Sequence, residues 1–399
     1  MKKIGVGLGF IALVITYLDR SIFSYAILPI EKTFNLTNAE FGLISSAFGF
    51  GYLLTVIAGG ILADKYGARK IWAICALCWS IICMFFSLAF GFWDLFILRL
   101  LLGASEAPVF PTFMRVIVDW IPINKRSKIF ALGSSSVAFS SVIGAPLTTY
   151  LITIFGWRNA FLFLGIPGII WALVWFIFYR DQTKLIIQSS ARKRHVINWK
   201  FLLRTPTLIA NNGAFFVFAY IQFFALIWLP GYLQQVYHVK LMQVGWFLTI
   251  PWITAGVFLI GGGVLTDWLL QKTKSLRISR SHLIWVCQLL AAVCFFLVVS
   301  MNSFLISIVF LSLGIGFNNM PSSVMGIINA DLDPNNASTS NAIMNFTFGI
   351  ASIVSPIVNG FLTTWTGNFN VAILLMILLV VASVLGIVFF HRPDRDKLN

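Results

Sequence analysis

The chain has 399 residues, of which 59% are hydrophobic and only 10% are charged, and its mean hydropathy is +0.91. A soluble protein of this length needs far more charge to cover its surface, so we exclude a set of soluble domains and expect one membrane-embedded unit. The formal net charge of +15 could indicate nucleic-acid binding. Whether it does depends on where the basic residues lie along the chain.

Twelve mostly apolar segments follow one another along the chain, each close to the roughly 20 residues that an α-helix needs to cross a bilayer. Numbered as predicted spans 1 to 12, they cover residues 4–28, 39–63, 71–92, 93–118, 128–152, 160–180, 206–235, 242–266, 281–301, 303–328, 337–365 and 369–390. Span 1 follows Lys2 and Lys3 as a signal peptide would, but it has no small-residue cleavage site and its apolar pattern continues to Pro29. We therefore interpret it as a retained helix and predict an all-α membrane protein with twelve transmembrane helices.

The longest connection lies between spans 6 and 7, around residues 181–205. It is rich in basic residues, namely Arg180, Lys184, Arg192, Lys193, Arg194, Lys200 and Arg204. We interpret it as a solvated linker between two halves of the chain. The predicted domains are a six-helix bundle over residues 1–181, a linker over 182–205 and a second six-helix bundle over 206–399.

The lysines and arginines of short loops indicate how a membrane protein is oriented, because they concentrate on the cytoplasmic side. If the N-terminus is cytoplasmic, only Lys32, Arg158 and Lys240 fall in outer loops, and nearly all other basic residues outside the spans face the cytoplasm. We therefore expect a protein of the cell inner membrane with both termini and the linker in the cytoplasm. The charge of +15 is then explained by orientation in the lipid bilayer, and we expect no nucleic-acid partner.

The sequence contains neither a metal-binding pattern nor a nucleotide-binding motif. Cys75 and Cys78 form a CxxC pattern, but no second pair or nearby histidine completes a metal site, so we interpret the cysteines as helix-packing residues. No P-loop for ATP is present. We expect no metal and no cofactor, and a proton gradient is the expected energy source.

The two halves of the chain echo each other. Gly60 and Asp64 follow span 2 with the same spacing as Gly263 and Asp267 at the end of span 8. Repeated halves of six helices are typical of transporters whose substrate site lies between the halves near the middle of the bilayer. We therefore predict two pseudo-symmetric six-helix bundles.

The loop after span 2 carries a specific pattern of glycine, acidic and basic residues, consisting of Gly60, Asp64, Lys65, Gly67, Arg69 and Lys70. This pattern resembles the signature loop of the major facilitator superfamily, and the resemblance implies the fold of that family and a gating role for the loop. In physical terms, Gly60 permits close helix packing, Asp64 can pair with basic groups, and the cations hold the loop at the lipid headgroups. The alternative is an ordinary loop that only obeys the rule for cytoplasmic positive charge.

Spans 1 and 4 carry a narrower pattern. Span 1 contains Tyr17, Asp19, Arg20 and Ser24, and span 4 contains Arg99, Gly103, Glu106, Pro108 and Pro111. This pattern resembles the anion:cation symporter family, whose members include sugar-acid proton symporters. The resemblance implies that Asp19, Arg20, Arg99 and Glu106 bind the anion and couple its transport to protons. The serines of span 5 and the residues entering span 11 depart from the sugar-acid members, which puts a polyhydroxylated substrate in doubt.

Charges inside a span are costly and by default indicate function. Helical rise puts Arg20 and Arg99 at similar depths, and it puts Glu106 two turns deeper, on the same face of its helix as Arg99. Tyr17 and Ser24 share a helix face with Arg20. We therefore predict Glu106, with Asp19 second, for proton coupling, and Arg20 and Arg99 with Tyr17 and Ser24 for substrate binding. The alternative is a set of ion pairs that only lock the two helices together.

Outside this group, one charge pair and several neutral residues stand out. Arg115 and Asp119 are four residues apart near the cytoplasmic end of span 4, so we predict a salt bridge there rather than substrate contact. In the second half, Tyr220, Asn318 and Asn345 fall near mid-depth and could hydrogen-bond a carboxylate or hydroxyl. We predict substrate contact for these three, with hydrogen bonding between helices as the alternative.

The functional prediction is a secondary transporter, not an enzyme, that takes up a small organic anion such as a carboxylate with protons by alternating access. We expect it to work as a monomer. One alternative is a metabolite or drug exporter or antiporter of the same fold. A second is a non-transporting membrane receptor, although no loop is long enough for an added signalling domain.

Overall fold

The computed structural model describes residues 2–122, 129, 132, 133, 135–181, 199–301, 303–332 and 337–396. Within these residues all regular structure is helical. The first seven helices are α1 (Lys2–Tyr25), α2 (Ile27–Phe34), α3 (Asn38–Tyr66), α4 (Ala68–Phe85), α5 (Phe92–Glu106), α6 (Val109–Trp120) and α7 (Ser136–Phe178). The rest are α8 (Trp199–Arg204), α9 (Pro206–Ile227), α10 (Leu229–Tyr237), α11 (Leu241–Phe247), α12 (Thr249–Thr273), α13 (Leu283–Ser300), α14 (Phe304–Asn319), α15 (Ser322–Leu332), α16 (Ala337–Thr366), α17 (Phe369–Phe390) and α18 (Pro393–Asp396).

Eleven stretches of helix in the described residues are long and apolar enough to cross a membrane. One of them, α7, has 43 residues and covers the region of predicted spans 5 and 6. Gly156 interrupts α7 with φ of +78°, a left-handed conformation that favours glycine. The eleven stretches are therefore consistent with twelve crossings, because α7 is long enough to cross twice with a turn at Gly156.

The ends of the helices follow from local sequence. Thr37 caps the start of α3 by accepting from the backbone of Glu40, and the Glu40 side chain accepts from the Thr37 backbone in return. Gly67, at φ of +85°, ends α3 and lets α4 begin at once. Pro108 separates α5 from α6, so predicted span 4 consists of two helices.

The described residues divide into two compact units, which we call unit 1 (residues 1–193 and 230–249) and unit 2 (residues 194–229 and 250–399). Unit 1 therefore contains nearly all of α10 and α11, in addition to α1–α7. The domain boundaries expected from the sequence, at residues 181 and 206, stay predictions.

The core of unit 1 is formed by α1, α4 and α7 together with the close pair α3 and α5. Trp72 and Trp79 of α4 are buried against Trp171 and Trp175 of α7. The α3–α5 contact depends on glycine, because a Cβ at Gly103 would overlap the carbonyl group of Phe48. This close approach fixes the position of α5, which carries two of the charged residues predicted from the sequence.

In unit 2, α9 packs on α16 and α17, and α13 packs on α14 and α17. A short π-helical turn, Arg277–His282, leads into α13. Asp394 of α18 caps this turn, because its carboxylate accepts from the backbone N–H groups of Leu276 and Arg277, each at 2.9 Å. The end of the described chain is thus joined to a turn more than one hundred residues earlier.

A polar contact in unit 1 joins α10 to α2 and to the first residue of α3. The Gln235 side chain donates to Oε2 of Glu31 at 3.4 Å and to Oδ1 of Asn38 at 3.3 Å. Burial raises the pKa of Glu31 to about 8. This carboxyl therefore favours its neutral form near neutral pH.

Candidate functional site

Two helices of unit 1 carry the four charged residues that the sequence pattern singled out. Asp19 and Arg20 lie on α1, and Arg99 and Glu106 lie on α5. Glu106 is fully buried, and Asp19 and Arg99 are no more than 3% exposed. All four lie within stretches long enough to span a membrane, so the cluster sits where charge is most costly.

Arg20 and Glu106 form an ion pair with hydrogen-bond geometry, with 2.6 Å between Nε and Oε2. The guanidinium of Arg20 also lies 4.7 Å from the ring centre of Tyr17, 4.8 Å from that of Phe48 and 5.4 Å from that of Tyr52. Three aromatic faces and one carboxylate thus stabilise a cation that has little access to solvent.

Arg99 has a different environment. Its guanidinium lies 4.5 Å from the ring centre of Phe23 and 5.3 Å from that of Phe48. Its Nε and Nη1 are buried and have no hydrogen-bond partner among the described residues. Arginine presents a planar fork of donors that matches a carboxylate, so an unfilled fork is suited to an anion from outside the protein.

Asp19 points away from this pair of arginines, toward α4. Its Oδ1 lies 3.8 Å from Sγ of Cys83, and the same sulfur lies 3.7 Å from the carbonyl oxygen of Phe161. The Oδ2 atom of Asp19 is buried without a hydrogen-bond partner in the described part of the chain. A thiol is only a weak donor, so the described residues give this carboxyl little hydrogen bonding.

Tyr17 and Ser24, the two neighbours predicted on the Arg20 face, differ in their contacts. Tyr17 contacts Arg20 and meets the ring of Phe110 edge-on. Ser24 is buried, and its hydroxyl has no partner among the residues that the structure describes. Nη2 of Arg20 and Oε1 of Glu106 are likewise buried without a hydrogen-bond partner among the described residues. Unfilled polar atoms thus occur at several points of this cluster.

A second group of charged residues joins α6 to the C-terminal end of α3. Arg115 Nε is 3.0 Å from Oδ1 of Asp119, as the four-residue spacing predicted, and Arg115 Nη1 donates to Oδ1 of Asp64 at 3.3 Å. The Arg115–Asp119 contact is an ion pair without hydrogen-bond alignment. Asp119 is buried, whereas the Asp64 side chain is 70% exposed. Arg115 therefore ties the signature loop to α6.

The remaining residues of the signature loop have separate contacts. The backbone N–H of Arg69 donates to Asp181 at 3.1 Å and its Nε donates to the carbonyl of Phe176 at 2.9 Å. Burial raises the pKa of Asp181, and backbone hydrogen bonds from Arg69 and Ala68 act against this rise. Lys65 and Lys70 are exposed, and Lys65 lies over the ring of Tyr66.

The close helix packing expected at Gly60 occurs one residue earlier. A Cβ at Gly59 would lie 2.5 Å from Pro108 Cγ, whereas a Cβ at Gly60 would meet Pro111 at an ordinary 3.6 Å. The prediction for Gly60 was therefore wrong by one position. The reason is that the rotation of α3, which decides which glycine meets Pro108 between α5 and α6, is not visible in the loop pattern.

The three neutral residues predicted in the second half have different placements within unit 2. Tyr220 is buried and its hydroxyl donates to Oδ1 of Asn359 at 3.2 Å. Asn318 is buried and donates to the carbonyl of Phe218 at 3.1 Å. Asn345 is exposed and donates to the carbonyl of Asn341 at 2.9 Å. The first two thus join helices, which was the alternative to substrate contact.

Several residues of the cluster escaped the sequence reasoning. Phe48 and Tyr52 of α3 and Phe23 of α1 contact the arginines, and Cys83 contacts Asp19. Phe48 and Tyr52 are four residues apart on one helix face, but aromatic residues are common throughout the predicted spans, so that spacing was no signal. Cys83 was interpreted as a packing residue, which it is, with an additional polar contact.

Comparison with known proteins matches this chain to one family of transporters. The sequence model described as Major Facilitator Superfamily matches residues 9–279 and 275–399. A hexuronate transporter of Bacillus subtilis is 30% identical over 397 aligned positions, and the match covers 97% of this chain and 94% of that protein. A probable sulfoacetate transporter of Cupriavidus necator is 27% identical, over 94% of this chain and 91% of that protein.

Among solved structures, a bacterial homologue of the human lysosomal transporter Spinster, inward-facing and unoccupied, superposes with a TM-score of 0.86. The match covers all of this chain and 98% of that one at 17% sequence identity. At this identity the likeness shows the fold alone.

Proposed function

We propose that this chain, which belongs to the major facilitator superfamily, takes up a small organic anion together with protons. Membership of that family makes it a multi-pass membrane transporter and not an enzyme. The anion is a carboxylate or a similar acid, and the gradient of protons supplies the energy. Transport proceeds by alternating access, with no metal or cofactor.

The observation that carries this proposal is the buried Arg99 next to the Arg20–Glu106 pair. Arg20 already has a carboxylate partner, whereas the Nε and Nη1 donors of Arg99 have no partner among the described residues. A buried cation without a counter-ion is destabilising, and an incoming anion removes that cost. Arg99 is therefore the first contact of the anion, with Tyr17 and Ser24 nearby as neutral hydrogen-bonding groups.

The named relatives support an anionic substrate without fixing which one. Hexuronate is a carboxylate, and sulfoacetate carries a carboxylate and a sulfonate. The shared property is negative charge on a small molecule, which is what two arginines recognise. Tyr220 and Asn318 are left out of the proposed site, because their polar groups already join helices within unit 2. Substrate contact by Asn345 stays a prediction.

Coupling rests on competition for Arg20. A carboxyl buried among apolar helices favours its neutral form, and a neighbouring arginine favours its charged form. When the anion binds Arg20, Glu106 loses part of its stabilising partner and takes up a proton. Anion and proton then favour each other's binding, which is the thermodynamic requirement for symport. Asp19, whose Oδ2 has no hydrogen-bond partner among the described residues, is the second proposed proton carrier.

The cytoplasmic side of the cycle is assigned to the signature loop. The loop residues Gly60, Asp64, Lys65, Gly67, Arg69 and Lys70, with the Arg115–Asp119 pair, form the proposed gate. The protein is proposed to act as a monomer in the cell inner membrane, with both termini in the cytoplasm.

The proposal is tested with purified protein in vesicles that contain the pH-sensitive dye pyranine. Addition of D-glucuronate or sulfoacetate outside should acidify the interior, and labelled glucuronate should accumulate when the outside is made acidic. Glucose at the same concentration, which is neutral, should do neither. Transport of neutral or cationic compounds alone, or anion movement without protons, contradicts the proposal. Proton-driven loss of preloaded anion, instead of accumulation, identifies an exporter.

A further inference from the structure

The short helix α8 lies directly before a membrane-spanning helix and has three distinct faces. Trp199 and Leu203, four residues apart, are both more than half exposed. Lys200 and Arg204, also four residues apart, are exposed on the neighbouring face, and Leu202 is buried against unit 2. One apolar exposed face beside one basic face is typical of a helix that lies at the surface of a bilayer.

The basic face of α8 borders a shallow cavity of about 410 Å³ in unit 2, which is wide open at the surface. The cavity is lined by Lys200, Phe201, Arg204, Thr205, Pro206 and Asp396. Pro206 is the first residue of the span that continues to Ile227, so the cavity lies at the end of a membrane-crossing helix. This is the depth at which lipid headgroups are found.

The cavity has more positive charge than its one carboxylate can neutralise. Both oxygens of Asp396 have partners, since Oδ2 accepts from the Thr207 hydroxyl at 2.7 Å and Oδ1 accepts from Arg395 Nε at 2.7 Å. Lys200 and Arg204 form no ion pair with any carboxylate that the structure describes. The net result is a cavity with two uncompensated cations and one satisfied acid, which suits a phosphate group.

We propose that this cavity binds the phosphodiester headgroup of an anionic membrane phospholipid. The phosphate lies between Lys200 and Arg204, and the acyl chains run along the exposed face of Trp199 and Leu203. A free phosphate compound would use the same two cations, but it would leave the apolar face in water. The position beside the span and the exposed tryptophan therefore favour the lipid.

The test uses the full-length protein purified in a non-ionic detergent and native mass spectrometry. Phosphatidylglycerol and phosphatidylcholine with the same acyl chains are titrated in turn, and the wild-type protein should retain phosphatidylglycerol preferentially. The double variant Lys200→Gln, Arg204→Gln should bind phosphatidylglycerol about 30-fold more weakly, because each basic residue near an anionic headgroup contributes about a factor of five. Its phosphatidylcholine binding should not change.

A matched control removes two other exposed lysines of unit 2. The variant Lys272→Gln, Lys274→Asn keeps the left-handed backbone at position 274, where φ is +53°, and should retain the wild-type lipid preference. Melting temperatures of both variants establish that they fold, and Lys200→Gln alone provides a milder second variant. An unchanged preference in both the double and the single cavity variants overturns the proposal.

The source of the phosphate is decided with sn-glycerol 3-phosphate as a soluble probe. The lipid proposal expects this compound to compete poorly, and expects Trp199→Ser with Leu203→Ser to weaken phosphatidylglycerol binding. Competition by glycerol phosphate at the same concentration as the lipid identifies a site for free phosphate compounds and contradicts the proposal.

Discussion

Nε of Arg20 lies 2.6 Å from Oε2 of Glu106, although the two residues are 86 positions apart and belong to different helices. The acid that we propose as the proton carrier is therefore held by a cation that we propose binds the substrate. Because both ligands act on the same bond, neither can bind without affecting the other. The following variants separate the two roles.

The arginines should be sensitive to replacement by lysine, which keeps the charge but loses the planar fork. In Arg99→Lys and Arg20→Lys, we expect the affinity for glucuronate to fall by about 10- to 100-fold, the range of a lost charge-assisted hydrogen bond. The measurement is the concentration dependence of vesicle uptake. Arg158→Lys is the matched control, since among the described residues Arg158 donates to the carbonyls of Ser87 and Ala89 and to no residue of the charged cluster. Wild-type affinity in both Arg20→Ala and Arg99→Ala would show that the site is wrong.

Glu106→Gln imitates a permanently protonated acid. We expect it to abolish accumulation driven by a pH step and to preserve exchange of labelled for unlabelled anion at equal pH. Asp19→Asn is the comparison, because Asp19 has no bond to either arginine in the structure. If Glu106→Gln still accumulates the anion after a pH step, coupling has to be reassigned to Asp19 or abandoned.

Arg115 should matter for stability through its buried partner more than through its exposed one. Arg115→Ala leaves the carboxylate of Asp119 buried without a cation, which costs about 3–5 kcal/mol. Asp64→Asn breaks only the contact to a carboxylate that is 70% exposed and should cost less than about 1 kcal/mol. Thermal unfolding in detergent measures both. Equal losses in the two variants would contradict this assignment.

Glu31 predicts a pH dependence of stability. Burial raises its pKa to about 8 from an ordinary 4.5, so the folded state retains a proton that the unfolded state has lost between those values. The stabilising contribution of Glu31 to the free energy of unfolding is fully present below about pH 4.5, and it is lost as the pH rises through about 8. The melting temperature should therefore fall by several degrees less in Glu31→Gln than in the wild type over this window. Asp267→Asn, which removes an exposed carboxylate, should behave as wild type; identical slopes in Glu31→Gln and wild type would refute the prediction.

The sequence predicted which membrane-crossing helices carry the charges, because apolar length identifies those helices. It also predicted the Arg115–Asp119 contact, since four residues make one turn. It could not predict that Glu106 pairs with Arg20 and not with Arg99 of its own helix, because the rotation of α1 against α5 depends on packing. That packing includes the contact of Gly103 with Phe48, which also brings the Phe48 ring between the two arginines.

The neutral residues show the same limit. Tyr220 and Asn318 were placed at mid-depth by counting, but counting does not tell a helix-joining hydrogen bond from an open one. Their partners, Asn359 and the carbonyl of Phe218, are 139 and 100 positions away. Only the assembled bundle shows these partners.

The cap that Asp394 provides has a consequence for the synthesis of the protein. The turn that leads into α13 receives its carboxylate from a residue 118 positions later than Leu276. While the chain is being made, α13, α14, α16 and α17 enter the membrane before that residue exists, so the turn must be held by water or by the insertion machinery. The second unit is therefore completed by the last helix that the structure describes, and a ribosome that stalls before Pro393 leaves a bundle whose turn before α13 still lacks this cap.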